Sequence, residues 1–475
     1  MEAANYGILS LIPLALTLLL AFWKKDAVFA LFMGCLSGVL LLGHDPAFGF
    51  SALAEEALGN EDFIWILLIQ VFIGIMIAFF MKAGVVKAFA EMIAGKVKSP
   101  RSVKLATWFI GLFTIDDYMS PLLRGVVMRP LTDEMRVPRE KLAFILDSTC
   151  ASVCTLMPFM AWGAYVAGLV ADLGGPVTSN EQGVSVYISA IPFNFYAILM
   201  VLITLLSALE IFPDFGPMRK AEQRARTTGK LLRDGAVPMM GTELEELQKD
   251  NDSDVKPNVV LDFLVPIILL VATAIWTYIA KGGVKILECF IITVIYMSIE
   301  LCIRRVFKSV TDLVNTAVQG MKSVVSATLI LALAYCINTI TKSMGAADFL
   351  LGVCESWMTP ALFLSVTFIA GAVISFFTGS SWGTFAICIP IAVPMAYSFT
   401  GGQLGTLVYA AVGAVVSGGL FGDHCSPVSD TTVLSSLGAA CDHIDHVRTQ
   451  LPYALLAAAV SIILWIVVAL VGGAA

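Results

Sequence analysis

Residues 417–436 read SGGLFGDHCSPVSDTTVLSS, and the apolar run that leads into them begins near residue 404. Gly418, Gly419 and Gly422 loosen a helix, while Pro427 lacks a backbone donor and crowds an earlier carbonyl, so a helix is expected to break here. The freed carbonyls, the hydroxyls of Ser426, Ser429, Thr431 and Thr432, and the carboxylates of Asp423 and Asp430 then face a cavity. This all-oxygen set is what a small hard cation such as sodium accepts. So dense a polar stretch has no purpose in a lipid-facing helix, and carboxylates at membrane depth mark an ion or proton route.

The remainder of the chain supplies the membrane context. Of 475 residues, 58% are hydrophobic and 14% charged, against about 45–50% and about 25% in ordinary globular chains. Too few charges remain to coat a water-facing surface. A mean hydropathy of +0.87 and recurrent apolar stretches of about 20 residues indicate an all-α polytopic membrane protein. The net charge of -7 offers no basic footprint for nucleic acid. Most of the ten cysteines lie singly in apolar segments, which reads as small reduced core residues rather than a disulfide framework.

Clear spans are expected at 6–23, 27–43, 63–81, 187–210, 259–280, 284–303, 323–340 and 451–471. The stretches 141–170 and 404–437 read as two interrupted helices. Two further stretches, 102–130 and 360–398, are decided by charge, because Lys and Arg favour the cytoplasmic side. Were 102–130 to cross, the basic loops 82–104 and 124–141 would lie on opposite faces. Treating it as a re-entrant hairpin, and 360–398 as a second one from the other face, places 26 of the 29 basic residues inside. Only Lys281, Lys285 and Lys342 are left outside. This gives ten transmembrane spans plus two hairpins; twelve full crossings are the alternative.

A repeat divides the chain in the same way. FTIDDYMSP at 113–121 lines up with FTGSSWGTF at 377–385, and Asp147 and Thr155 line up with Asp423 and Thr431 at a common offset of 276. Each half holds five spans, so the second repeat inserts upside down, and two inverted repeats with broken helices are the pattern of secondary transporters. The halves are 1–212 and 259–475, joined by a hydrophilic linker at 213–258 that reads as a cytoplasmic tether. Site candidates cluster late in each half, which separates a scaffold part (roughly 6–81 and 259–340) from a transport part (roughly 102–170 and 360–437).

Besides the 417–436 stretch, site candidates are Asp116 and Asp117 at the first hairpin tip, Asp147 in the first interrupted helix, and the neutral tip with Ser380 and Ser381. One of the tip carboxylates is expected to bind while the other pairs with Arg124 or lines the entry path. His424 is a candidate proton relay, weighed against a histidine hydrogen-bonded to backbone. The run Cys441-Asp442-His443-Ile444-Asp445-His446 has ligand-like spacing but reads as a solvated loop. Gly379 to Gly383 fits G-x-S-x-G without the strand-turn-helix setting that motif needs, and no hydrolase element accompanies Asp147 and Asp423, so an enzyme is not expected.

GDHCSPVSDTTVLSS, together with TIDDYMSPLLRG, RPLTDEMRVPREKL and GSSWGTFA, resembles the NhaC-type sodium/proton antiporter family of the ion-transporter superfamily, from about residue 60 to 470. The resemblance implies an integral protein of the bacterial inner membrane, a homodimer in lipid with scaffold and mobile transport domains. It also implies sodium, transported or coupling, exchanged for protons without further cofactor. Its polar positions fall on Asp116, Asp117, Asp147, Ser148, Thr149, Ser380, Ser381, Asp423, His424, Ser426, Ser429, Asp430, Thr431 and Thr432, with Asp423 and Asp430 as the sodium carboxylates. Where relatives carry a small residue and proline after the Asp-Ser-Thr, this chain reads Cys150-Ala151-Ser152-Val153-Cys154, so the first interruption is expected to be milder. Similar transporters carry organic acids or amino acids, which leaves a sodium- or proton-coupled carrier of a small organic solute as the alternative.

The hairpin assignment predicts that single cysteines placed beside Lys98 and Arg136, in a background without reactive native thiols, react only with an impermeant reagent supplied from the cytoplasm. Labelling of the two positions from opposite faces rejects the hairpin at 102–130.

Overall fold

The computed structural model describes residues 6–24, 26–85, 88, 99–112, 119–157, 161–173, 175–177, 179–239, 255–281, 285–346, 349, 352–353 and 362–472. These are helical apart from turns and an isolated bridge between Pro238 and Asp442. The first half contains α1 (Ile12–Lys24), α2 (Ala27–Leu41), α3 (Pro46–Leu58), α4 (Glu61–Lys82), α5 (Pro100–Gly111), α6 (Met119–Glu134), α7 (Arg139–Ser148), α8 (Ala151–Leu156), α9 (Ala161–Asp172), α10 (Asn180–Ala190) and α11 (Phe195–Ala208). Helix α12 (Gly216–Thr228) follows. The second half contains α13 (Val265–Lys281), α14 (Ile286–Ile303), α15 (Val310–Ser323), α16 (Val325–Ser343), α17 (Phe363–Thr378), α18 (Ser381–Phe399), α19 (Thr406–Cys425), α20 (Asp430–Gly438) and α21 (His443–Gly472).

Local chemistry sets many of these boundaries. Asp45 accepts from the amides of Ala47 and Phe48, with Pro46 at the first position, and so starts α3. Ser99 and Ser102 form a reciprocal cap on α5. Gly379, at φ 66, ends α17, and Ser380 accepts from Gly383 N to begin α18 at once. The chain therefore reverses at 379–380, and Phe399 returns to within 5.3 Å of Phe363, ring centre to ring centre. Helices α5 and α6 likewise begin and end beside one segment: Lys104 pairs with Glu210, Arg139 pairs with Asp133, and the Arg139 amide donates to Leu231.

Several expectations need correction. The 46–58 segment is a helix, at 109° to α2, where none was anticipated. The expected single span at 187–210 is two helices bent by 48° around Asn194, and the expected loop at 304–322 contains α15. Apolar content alone missed α15 because one side of it carries Asp312, Gln319 and Lys322. Among the described residues, five helices are long and apolar enough to cross a bilayer, or up to eight spans if each bent pair counts as one; α18 is among the five, at 19 residues. The linker is not a bare tether over 213–239. Helix α12 lies against α7 and α21, with Arg224 on Glu140 at 2.9 Å and Arg233 on Asp445 at 2.7 Å. Burial works against the charge of Asp214, but the Lys141 ammonium beside it prevails and holds this carboxyl below the ordinary carboxylate range.

Two large apolar cores result. One gathers α1 to α4 and α13 to α16; the other gathers α7 to α11, α17 to α19 and α21. Helix α20 and the start of α6 turn Val433, Leu434, Leu437, Leu122 and Val126 toward the first core. Helices inside a membrane associate through close packing of small residues. A Cβ on Gly422 would meet Phe376 N at 2.1 Å, and one on Gly438 would meet the Pro121 carbonyl at 2.3 Å. Gly422→Ala is therefore expected to lower thermal stability in detergent by about 1–3 kcal/mol. Gly168→Ala, in a helix with nothing within 4 Å, should be neutral or stabilising. Equal midpoints for the two variants would reject the close approach of α17 to α19.

Candidate functional site

The second interruption is the four-residue break 426–429 between α19 and α20. Its free groups are satisfied from several directions. Ser426 Oγ donates to the Phe376 carbonyl at 2.6 Å, and His443 Nε2 donates to the Pro427 carbonyl at 2.9 Å. The backbone of Gly379 lies so close to the Val428 carbonyl that a Cβ there would come within 2.5 Å. The tip of the second hairpin thus seats directly on the break, as glycine at this position requires.

Asp423, one turn before the break, is buried. Ser429 Oγ donates to its Oδ1 at 2.9 Å, Thr431 Oγ1 lies 3.1 Å from Ser429 Oγ, and Thr432 Oγ1 donates to the Asp423 carbonyl at 2.9 Å. The other carboxylate oxygen, Oδ2, is buried and has no hydrogen-bond partner among the described residues. Asp430 is half-buried and lines a cavity of about 270 Å³ with Tyr165, Asn338, Lys342, Ser380 and Trp382. Carboxylate, hydroxyl and carbonyl oxygens therefore converge at the break, next to that cavity.

The first interruption is milder, as expected: only Thr149 and Cys150 separate α7 from α8. Arg124, buried, closes it. Its guanidinium donates to the Leu146 carbonyl at 3.0 Å and to Thr149 Oγ1 at 2.8 Å. Gly111 leaves the room, since a Cβ there would fall 2.2 Å from Arg124 Nη1. The expected pairing of Arg124 with a tip carboxylate falls on Asp116 and Asp117, which lie outside the described residues; what is described of Arg124 is directed at carbonyls and a hydroxyl.

Asp147 sits between the two interruptions, fully buried. Its Oδ1 accepts from Ser435 at 3.1 Å and its Oδ2 from Gln450 Nε2 at 2.7 Å. Gln450 also donates to the His424 carbonyl and receives His446 Nε2 at 2.9 Å. His424 spans Ser148 Oγ at 2.9 Å and Tyr196 OH at 2.8 Å, both hydroxyls. Ser148 and His424 are 276 residues apart, the offset at which the repeats align, so positions matched in sequence touch in space.

Asp147, Ser148, Asp423, His424, Ser429, Thr431 and Thr432 are thus drawn into one buried cluster, with Asp430 and Ser380 at its mouth. Thr149 and Ser426 hold the two breaks, and Ser381 is buried in the first turn of α18. The reading of 441–446 as a solvated loop is wrong. His443 and His446 are buried, and α21 begins at His443. Hydropathy hid this, because charges buried by mutual pairing look like charges in water. Gln450, Ser435, His446 and Tyr196 were missed. A glutamine and two histidines at the head of a long apolar helix were the available signal; for Tyr196 there was none.

Comparison with known proteins places the chain among antiporters. A protein of Haemophilus influenzae described as uncharacterized is 34% identical over 487 aligned positions, covering 97% of this chain and 90% of that one. The malate-2H(+)/Na(+)-lactate antiporter of Bacillus subtilis is 33% identical over 165 positions, about a third of each chain, and the Na(+)/H(+) antiporter NhaC of Alkalihalophilus pseudofirmus is 31% identical over 157, again a third of each. A transporter from Alcanivorax borkumensis, YdaH, aligns over 96% of the chain at 14% identity with a TM-score of 0.36, too distant to carry an argument. The model of the Na+/H+ antiporter family matches residues 153–470, which begins just after the first interruption and takes in the whole of the second and of the 417–436 stretch, and the chain belongs to that family.

Proposed function

We propose that this protein exchanges sodium for protons across the bacterial inner membrane by alternating access. The observation that carries the reading is the buried Oδ2 of Asp423, without a hydrogen-bond partner among the described residues, beside the hydroxyls of Ser429 and Thr431. A buried carboxylate left half-satisfied is costly, and a small cation bound there relieves it while collecting oxygen ligands from the break. Asp430, at the cavity mouth, is the second sodium carboxylate. Asp147 differs: both oxygens already accept hydrogen bonds from neutral donors, which leaves no room for a metal and suits a group that carries a proton. His424 would join a proton route only through the hydroxyls of Ser148 and Tyr196.

The scaffold and transport parts correspond in this reading to the two apolar cores, joined where α20 and α6 pack against the first. Both hairpins and both interruptions then move together past α1 to α4 and α13 to α16, in a homodimer held by the scaffold. A second reading, exchange of a small organic or amino acid, is favoured by the cavity whose lining includes both Lys342 and Asp430 and by two similar antiporters described for malate and lactate and for arginine and ornithine.

In proteoliposomes with imposed gradients, sodium alone is expected to drive proton movement; transport that appears only when an organic or amino acid is added favours the second reading and sinks the first. Asp423→Asn should weaken sodium binding roughly a hundredfold, about 3 kcal/mol, the scale for removing one charge of a buried pair. Asp147→Asn should keep sodium binding but abolish its dependence on pH, read by radiolabelled sodium binding across a pH series. Wild-type sodium affinity in Asp423→Asn removes this carboxylate from the mechanism. A crosslink between α16 and α20 should stop turnover and spare binding; normal transport with the crosslink complete would exclude a moving domain.

A further inference from the structure

The rim where the first hairpin meets the linker holds a second concave site. A cavity of about 340 Å³ opens there, lined by Ser99, Arg101, Met135, Arg136, Glu210 and Arg226. Its one acidic group is already engaged: Lys104 lies 2.9 Å from Glu210 and Arg226 lies 3.1 Å from it. The Lys104 hydrogen bond first, and then the charges of Lys104, Arg226 and Arg101, hold the Glu210 carboxyl below its usual range. Among the described residues no ion pair involves Arg101 or Arg136, both exposed. The wall is therefore cationic in excess.

Two further features accompany the charge. Arg136 follows the end of α6 with φ 54, a left-handed conformation in which glycine is the common residue, so the chain keeps a guanidinium where the backbone would be easier without a side chain. Below the rim, α5 and α11 are tied by Trp108 Nε1 donating to the Val201 carbonyl at 3.1 Å, and they turn Phe109 and Leu202 outward at 54% and 47% exposure, with Ile211, just past the end of α11, also exposed. A soluble anion would account for the arginines but not for an apolar strip running beneath them. Acyl chains under an anionic headgroup account for both, and basic side chains at the cytoplasmic surface attract anionic lipid.

We propose that this rim binds an anionic phospholipid of the cytoplasmic leaflet, its phosphate held by Arg101, Arg136 and Arg226 and its acyl chains lying on α5 and α11. The test compares the full-length protein in phosphatidylcholine alone with an equal mixture of phosphatidylcholine and phosphatidylglycerol. Thermal midpoint and, by native mass spectrometry, retained phosphatidylglycerol are the readouts. Phosphatidylglycerol should raise the wild-type midpoint, and Arg101→Gln or Arg136→Gln should each reduce retained phosphatidylglycerol about fivefold, the scale for one basic group at an anionic surface. Arg136→Gly separates binding from folding: it should raise the midpoint in phosphatidylcholine, by relieving the backbone, and lose the increment from phosphatidylglycerol. The proposal is overturned if Arg101→Gln/Arg136→Gln together keep the full preference. It is equally overturned if inorganic phosphate in pure phosphatidylcholine reproduces the increment, or if these variants change the oligomeric mass, which would make the face a contact between copies.

Discussion

A helix that stops inside a membrane exposes carbonyls and amides that no lipid can satisfy, and much of this architecture answers that requirement. At the first stop the answer is a charge: Arg124, on α6, covers the end of α7. At the second it is geometry: Gly379 and Phe376, at the end of α17, bring backbone and carbonyl against residues 426–429. Each break is met by groups from neighbouring helices, and removing those groups leaves polar backbone in an apolar setting.

That arrangement gives two carboxylates one turn from a break two different environments. Asp147 is next to the tightly closed break, and neutral donors on α20 and α21 occupy both of its oxygens. Asp423 is next to the open break, where Pro427 can donate nothing and the hydroxyls of Ser429 and Thr431 stand in for amides. One oxygen is left over. The two positions match in sequence at an offset of 276, and the unequal breaks make them chemically distinct.

The fold was legible where polarity interrupts hydropathy. Residues 417–436 announced their break through glycine and proline, whose conformational effects are local, and the 276-residue offset that aligned Asp147 with Asp423 is also the one that separates the touching pair Ser148 and His424. What escaped were effects that depend on partners distant in sequence. The 441–446 run looked solvated because its charges are neutralised by Arg233 from the linker, and the linker looked like a tether because the acidic groups that seat α12 belong to other helices. Helix α15 and the bend at Asn194 were hidden because composition records how apolar a segment is and says little about where it turns.

The cavity beside Asp430 is built from two sources of unequal freedom. The break and hairpin tip offer almost no latitude, since Gly379, Gly422 and Gly438 sit against bare backbone. The facing wall, with Asn338 and Lys342 on α16, is an ordinary helix surface whose side chains hold up nothing else in the site. Under the proposed exchange, drift of cargo preference within a lineage then has an open channel: α16 can exchange its side chains, and with them the size and charge of the cavity, while the break and the tip that seats on it stay unchanged.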